Sequence, residues 1–245
     1  MSYKINFKDG SSKEFDNLAG ADLSGANLYG ADLRDADLHG AKLQDTDLTD
    51  TILTKADLHG ADLGSANIVG ANLCAADLSD ANLSGAYLRV ADLSSTDLDA
   101  TCLTCASMKG INLSGASLRD ANMKGADLQG TKLTNADLQG ATLYRVQMQD
   151  ADLRWANLCD ADLTGADLSN ADLHGAKLFD ADLKGAKLCN ANLAGAILIN
   201  TDLTGADLSG AKLIGANLSD TDLQYAETRL VQQDSGIDDT SGTNE

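Results

Sequence analysis

Few side chains in this sequence have the types and spacing to do chemistry. His39 and His59 lie 20 residues apart, each two residues after an aspartate, Asp37 and Asp57. Two imidazoles and two carboxylates form a donor set that suits zinc, if the fold stacks them. Cys102-Leu103-Thr104-Cys105 is a lone CxxC. It has no second pair to complete a metal site, and no helix N-terminus is expected there to lower a thiol pKa. His174 stands apart from the other histidines. No phosphate loop is present, because the glycines recur at a fixed interval and not between a strand and a helix. No His or Cys is placed to activate a nucleophile. These residues therefore lead to no assigned catalytic residue, metal or cofactor, and an enzyme is not expected.

What positions them is a repeat of five. From Ala21-Asp22-Leu23-Ser24-Gly25 to Thr221-Asp222-Leu223-Gln224-Tyr225 there are 41 consecutive pentapeptides, and 16–20 is a degenerate one before them. The third residue is Leu except at Ile68, Met108, Met123 and Met148. The first is mostly Ala, the second usually Asp or Asn, and the fifth most often Gly or Asp. Such a period is neither helical nor that of a plain strand. Ala-x-Leu alternates as a strand does, so both side chains point inward, and the last two residues turn the chain. Gly, Asp and Asn tolerate the positive φ of such a corner. Repeated, this winds the chain about an axis with strand-like spacing between successive turns.

The pattern A(D/N)Lxx resembles the pentapeptide-repeat family over residues 16–225. The resemblance implies an all-β fold, a right-handed quadrilateral parallel β-helix. Four pentapeptides per coil then give about ten coils and a rod about 50 Å long. Before it, residues 1–15 read as a capping hairpin: Tyr3, Ile5 and Phe7 alternate with polar residues, Asp9-Gly10 is a turn signal, and Lys13-Glu14-Phe15 returns. After it, 226–245 reads as a cap, with Leu230 and Val231 over the last coil, and then a disordered acidic tail.

Charge and surface chemistry narrow the function. The net charge is −19, which argues against direct binding to nucleic acid or an anionic membrane. No apolar run is long enough to span a bilayer. Residues 1–10 lack the apolar core of a signal peptide, so a cytoplasmic location is expected. Five irregularly spaced Cys suit free thiols. Sorted by a 20-residue coil, the face centred on Leu18, Leu38 and Leu58 carries eleven outward Asp against Arg119 and Lys177. There Asp37, Asp57, Asp77 and Asp97 stack in successive coils. These Asp also have a structural role open to them, as caps of the backbone at each coil.

Exposed apolar residues gather farther along the same face: Phe179 and Ile199 stack, Ile197 lies beside them, and Trp155 sits at the corner leading in. A smaller group, Val69, Tyr87, Arg89 and Val90, lies on the face beginning at Leu28. The reading is a non-enzymatic interaction rod, monomeric or an end-to-end dimer. It would bind a protein partner through Asp37, Asp57, Asp77, Asp97, Trp155, Phe179, Ile197 and Ile199. The alternative comes from the family resemblance. Some members protect DNA gyrase from quinolones by DNA mimicry, commonly with Phe at many centres, projecting loops and an apolar C-terminal dimerisation segment. Here no centre is Phe, and no loop interrupts the repeats. Other members act in differentiation or metal homeostasis, and no residue here selects among these roles.

Overall fold

A computed structural model describes residues 3–7 and 10–227. The expected cap and tail at Leu230, Val231 and beyond, and the side chains of Ile5, Phe7 and Asp9, lie outside the described residues. Three strands open the chain: β1 (Tyr3–Phe7), β2 (Ser12–Phe15) and β3 (Ala26–Asn27). β1 pairs antiparallel with β2, Tyr3 opposite Phe15 and Asn6 opposite Ser12. Its other edge pairs antiparallel with β3, which belongs to the repeat, through Asn6–Asn27 and Phe7–Ala26. The backbone of the hairpin thus continues one sheet of the repeat past its first turn.

Along the repeat the second residue of each pentapeptide makes a parallel bridge to the residue 20 positions on, from Asp22–Lys42 to Asp207–Glu227. Stacked neighbours are therefore four pentapeptides apart, and the chain forms a parallel β-helix. The repeat follows from the destination of its backbone N–H groups. The second residue donates back one turn, as Lys42 N–H does to the Ala21 carbonyl (2.9 Å). The third and fifth donate forward, as in Leu23 to Lys42 (2.8 Å) and Gly20 to His39 (2.8 Å). The first closes the corner, as in Ala21 to Leu18 (3.0 Å).

The fourth N–H has no backbone acceptor in this pattern, and the Asp or Asn two residues earlier supplies one. Asn17 Oδ1 accepts from Ala19 N–H (3.0 Å), Asp77 from Ser79 (2.9 Å) and Asp202 from Thr204 (2.9 Å). The recurring second-place Asp or Asn is thus a local cap that satisfies the one donor the stack leaves over.

Every fifth residue from Gly20 to Tyr225 has positive φ, including Lys55, Val90, Arg145 and Trp155. With the bond from first to third residue across it, this matches the geometry of a type II turn. The corner is imposed by its neighbours wherever the residue itself disfavours it.

Inside, Ala and Leu form one continuous core in which most centres are fully buried. Thr replaces Ala at several buried places, and its hydroxyl finds a fixed partner. Thr46 Oγ1 donates to the Leu23 carbonyl (3.0 Å), Thr101 to Leu78 (3.1 Å) and Thr131 to Met108 (2.9 Å). Each of these carbonyls already accepts the corner N–H, so the Thr uses its second lone pair. Towards the last described turn Leu213 and Leu218 are half-buried and Leu223 is exposed.

Candidate interaction face

One ladder of bridges carries the acidic residues singled out by sequence. It runs Asp37–Asp57–Asp77–Asp97–Ser117–Asp137–Asn157–Lys177–Ile197. Asp37, Asp57 and Asp97 are exposed and Asp77 is half-buried. One oxygen of each carboxylate is committed to the turn: Asp57 Oδ1 accepts from His59 N–H (3.0 Å) and Asp97 Oδ1 from Asp99 N–H (3.0 Å). Asp37 accepts twice, from His39 N–H (3.3 Å) and at 2.6 Å from the ring Nδ1. The His39 ring bond is the largest of the effects that hold the Asp37 carboxyl below its usual range.

The two histidines diverge. His39 joins Asp37 and Asp57 in a group whose donor atoms all lie within 4.8 Å of one another. His59 instead turns its Nδ1 to Ser79 Oγ (3.0 Å), with Asp80 at 3.9 Å. The two imidazoles therefore do not form one four-donor set with the two carboxylates. Stacking places His59 beside His39 along the axis, but the serine and aspartate of the next turn draw its ring away.

At the far end of the ladder, Trp155 is 56% exposed, Phe179 43% and Ile197 37%. Ile199 is only half-buried. It is a short aliphatic chain with stacked neighbours at Phe179 and Ser219, so it supports the patch more than it tops it. Trp155 projects from a left-handed corner, φ +61°. Its indole lies across Gly175, where any Cβ would collide with the ring. The indole also meets His174 edge-on, with centroids 4.9 Å apart. His174, isolated in the sequence, is thus part of the setting of Trp155. Burial raises the Cys159 thiol pKa, against a backbone bond from Phe179 that lowers it. Nearby, Asn200 donates to the Asp180 carboxylate at the rim of the patch.

Two arrangements go beyond the residues the sequence singled out, the second by adding polar neighbours to the group at Val69, Tyr87 and Arg89. A second aspartate ladder, Asp162–Asp182–Asp202–Asp222, runs along another face. Lys184 Nζ bridges Asp182 (2.9 Å) and Asp202 (2.8 Å) within it. The same 20-residue comparison that exposed Asp37–Asp97 shows this ladder too, once Lys184 is placed on the turn beside it. The second is an open depression of about 490 Å³. It gathers Val69, Tyr87 and Arg89 with Asp45, Ser65 and Asn67. The five cysteines are free thiols. Cys102 is half-buried with its Sγ 3.5 Å from Thr104 Oγ1, and Cys105 is exposed at a corner.

A five-residue repeat with buried Ala and Leu, capped corners and a 20-residue ladder defines a repeat protein wound as a parallel β-helix. The chain belongs to the pentapeptide-repeat family. The family model described as "Pentapeptide repeats (8 copies)" matches in overlapping stretches from residues 17–54 to 186–224. Among solved structures, HetL is a pentapeptide repeat protein involved in heterocyst differentiation regulation, from the cyanobacterium Nostoc sp. strain PCC 7120. It is 35% identical over 86% of this chain and 91% of its own, with a TM-score of 0.36. Full-length QnrB1, a plasmid-mediated fluoroquinolone resistance protein, is 23% identical over 78% of this chain and 91% of its own, with a TM-score of 0.50. That likeness concerns the fold alone. Rfr23, from the cyanobacterium Cyanothece 51142, is 34% identical over 43% of this chain and 63% of its own, with a TM-score of 0.22. Among curated proteins none matches the chain.

Proposed function

We propose that the protein is a non-enzymatic, cytoplasmic interaction rod, a right-handed four-sided β-helix of about ten coils that the β1–β2 hairpin caps. It presents one flat face to a protein partner. The observation that carries this reading is the single ladder from Asp37 to Ile197. That ladder sets an acidic strip and an exposed apolar patch in line, about 38 Å apart end to end at the spacing of neighbouring strands. Aromatic and aliphatic anchors at one end supply desolvation energy, and the carboxylates at the other steer a basic segment of the partner. The contact residues are Asp37, Asp57, Asp77, Asp97, Trp155, Phe179 and Ile197, with Ile199 beneath.

The test is affinity capture from a cytoplasmic extract, followed by titration of the captured protein with variants. Phe179→Ser/Ile197→Ser is expected to weaken binding at all salt concentrations. Neutralising the four Asp to Asn is expected to slow association and flatten its salt dependence. Unchanged affinity in the first variant removes the site. A gyrase supercoiling assay with and without quinolone separates the DNA-mimic alternative. We expect an inert result, because no repeat centre is Phe and no loop interrupts the repeats, two features common in the gyrase-protecting members. Protection of gyrase would replace the present reading with that one.

A further inference from the structure

The stacked aspartates of this rod are treated differently in different places. Where Asp182 lies beneath Asp202, the fourth-place side chain of the same pentapeptide, Lys184, sits between them at 2.9 and 2.8 Å. Where Asp152 lies beneath Asp172, the fourth-place Arg154 does the same, at 2.7 and 3.9 Å. Asp37 beneath Asp57 has His39 in the same fourth place, bonded to Asp37 at 2.6 Å and with Asp57 within 4.8 Å. At two equivalent positions the repeat thus puts a permanent cation between two carboxylates. At the third it puts an imidazole, whose Nδ1 becomes a lone-pair donor when a metal replaces the proton it shares with Asp37.

We propose that Asp37, His39 and Asp57 bind a divalent transition-metal cation of the zinc class. The metal would take the place that the Lys184 ammonium and the Arg154 guanidinium fill elsewhere. One nitrogen and two carboxylate oxygens suit zinc, with water in the remaining position. Donor atoms 2.0–2.2 Å from a tetrahedral zinc lie roughly 3.4 Å apart. The observed group, within 4.8 Å, reaches that by small rotations of exposed side chains. The backbone under the ligands is fixed by the ladder, and Asp37 and Asp57 each also hold the N–H of the residue two places on. His59 is excluded, because its ring nitrogen faces Ser79 and Asp80. The site uses two carboxylates of the proposed docking strip, but its test contains no partner and succeeds or fails independently of that reading.

The test is titration of the full chain with zinc chloride alone by calorimetry, repeated with cobalt(II) as an optical probe. The expected result is one equivalent bound, with cobalt absorption lacking the thiolate charge-transfer band that any of the five cysteines would produce. His39→Gln and Asp57→Asn are each expected to weaken zinc binding by more than about tenfold. His59→Gln is expected to leave it unchanged. In the wild-type chain, zinc should shift one histidine imidazole resonance, that of His39, a measurement that needs no variant to fold. No uptake, a thiolate band, wild-type affinity in His39→Gln, or a shifted His59 or His174 resonance would each overturn the proposal.

Discussion

At the scale of single residues, the corner decides which side chains strain the fold. Val90 is β-branched and exposed, yet held at φ +54°. A non-glycine residue in that region costs about 1–2 kcal/mol, partly offset by the greater chain entropy a glycine loses on folding. Val90→Gly is therefore expected to raise stability by about 0.5–1 kcal/mol, read from the urea midpoint at constant slope. Gly175→Ala should act oppositely: it adds a Cβ both at positive φ and into the indole of Trp155. A loss of about 1–2 kcal/mol and a change in the emission of the one tryptophan would show it. Ion pairs give a residue-scale pH dependence. Burial alone would raise the Asp202 carboxyl pKa, but hydrogen bonds from Lys184 and Thr204 hold it to about 2. A carboxyl depressed in the folded state stabilises the fold above its unfolded value near 4, and that contribution fades as pH falls towards 2. The stability difference between wild type and Lys184→Met should accordingly shrink between pH 4 and pH 2 in acid titrations followed by circular dichroism. Solvent reaches both partners, with side chains 49% and 30% exposed, so the difference at neutral pH is expected to be small.

At the scale of the pentapeptide, surface chemistry and turn capping compete for the second place. Asp or Asn there accepts the fourth N–H; Lys177 and Ile197 have no side-chain acceptor to offer it. Other second places also lack such an acceptor, Lys42, Ile52, Tyr87, Lys132, Lys187 and Lys212 among them, so the exchange of a cap for surface chemistry recurs along the rod. Ile197→Asn is expected to gain about 0.5–1 kcal/mol by restoring a cap, while weakening partner binding. Thermal melts and titration of the same sample would reveal the two effects moving apart, and a gain in stability with unchanged binding would detach Ile197 from the interface. Much of this element was legible in the sequence, because Ala-x-Leu alternation and a strict phase specify which side chains point inward and where corners fall. Less legible were effects that depend on the next turn. The Thr101 hydroxyl reaches a carbonyl 23 residues back, and His59 turns towards Ser79, 20 residues on. Trp155 meets His174 across a corner. A single pentapeptide contains no information about these neighbours. The candidate ladder could be laid out from the 20-residue spacing, but ring orientation and the half-burial of Ile199 required the stacked side chains on either side.

At the scale of the whole molecule, each turn of the helix touches only the turns before and after it, so stability is close to a sum of nearest-neighbour terms. The core has no bulk in which a lesion can be absorbed, since every centre is bracketed axially by others of the same kind. Leu113 lies near the middle of the repeat and is fully buried. An ionised carboxylate there would have no compensating partner and would cost several kcal/mol even after local relaxation. In a globular domain such a change lowers the stability of the whole. In a rod it should instead break the coupling between the segment before residue 113 and the segment after it. Trp155 makes the distinction measurable, because the one tryptophan reports only on the latter segment. In the wild-type chain, urea unfolding followed by tryptophan emission and by far-ultraviolet circular dichroism is expected to coincide. In Leu113→Asp the dichroism transition should broaden and separate from the emission transition, as the two segments melt at their own midpoints. Coincident transitions that simply shift to lower urea would show that the rod unfolds as one cooperative body, and that nearest-neighbour contacts alone do not set its stability.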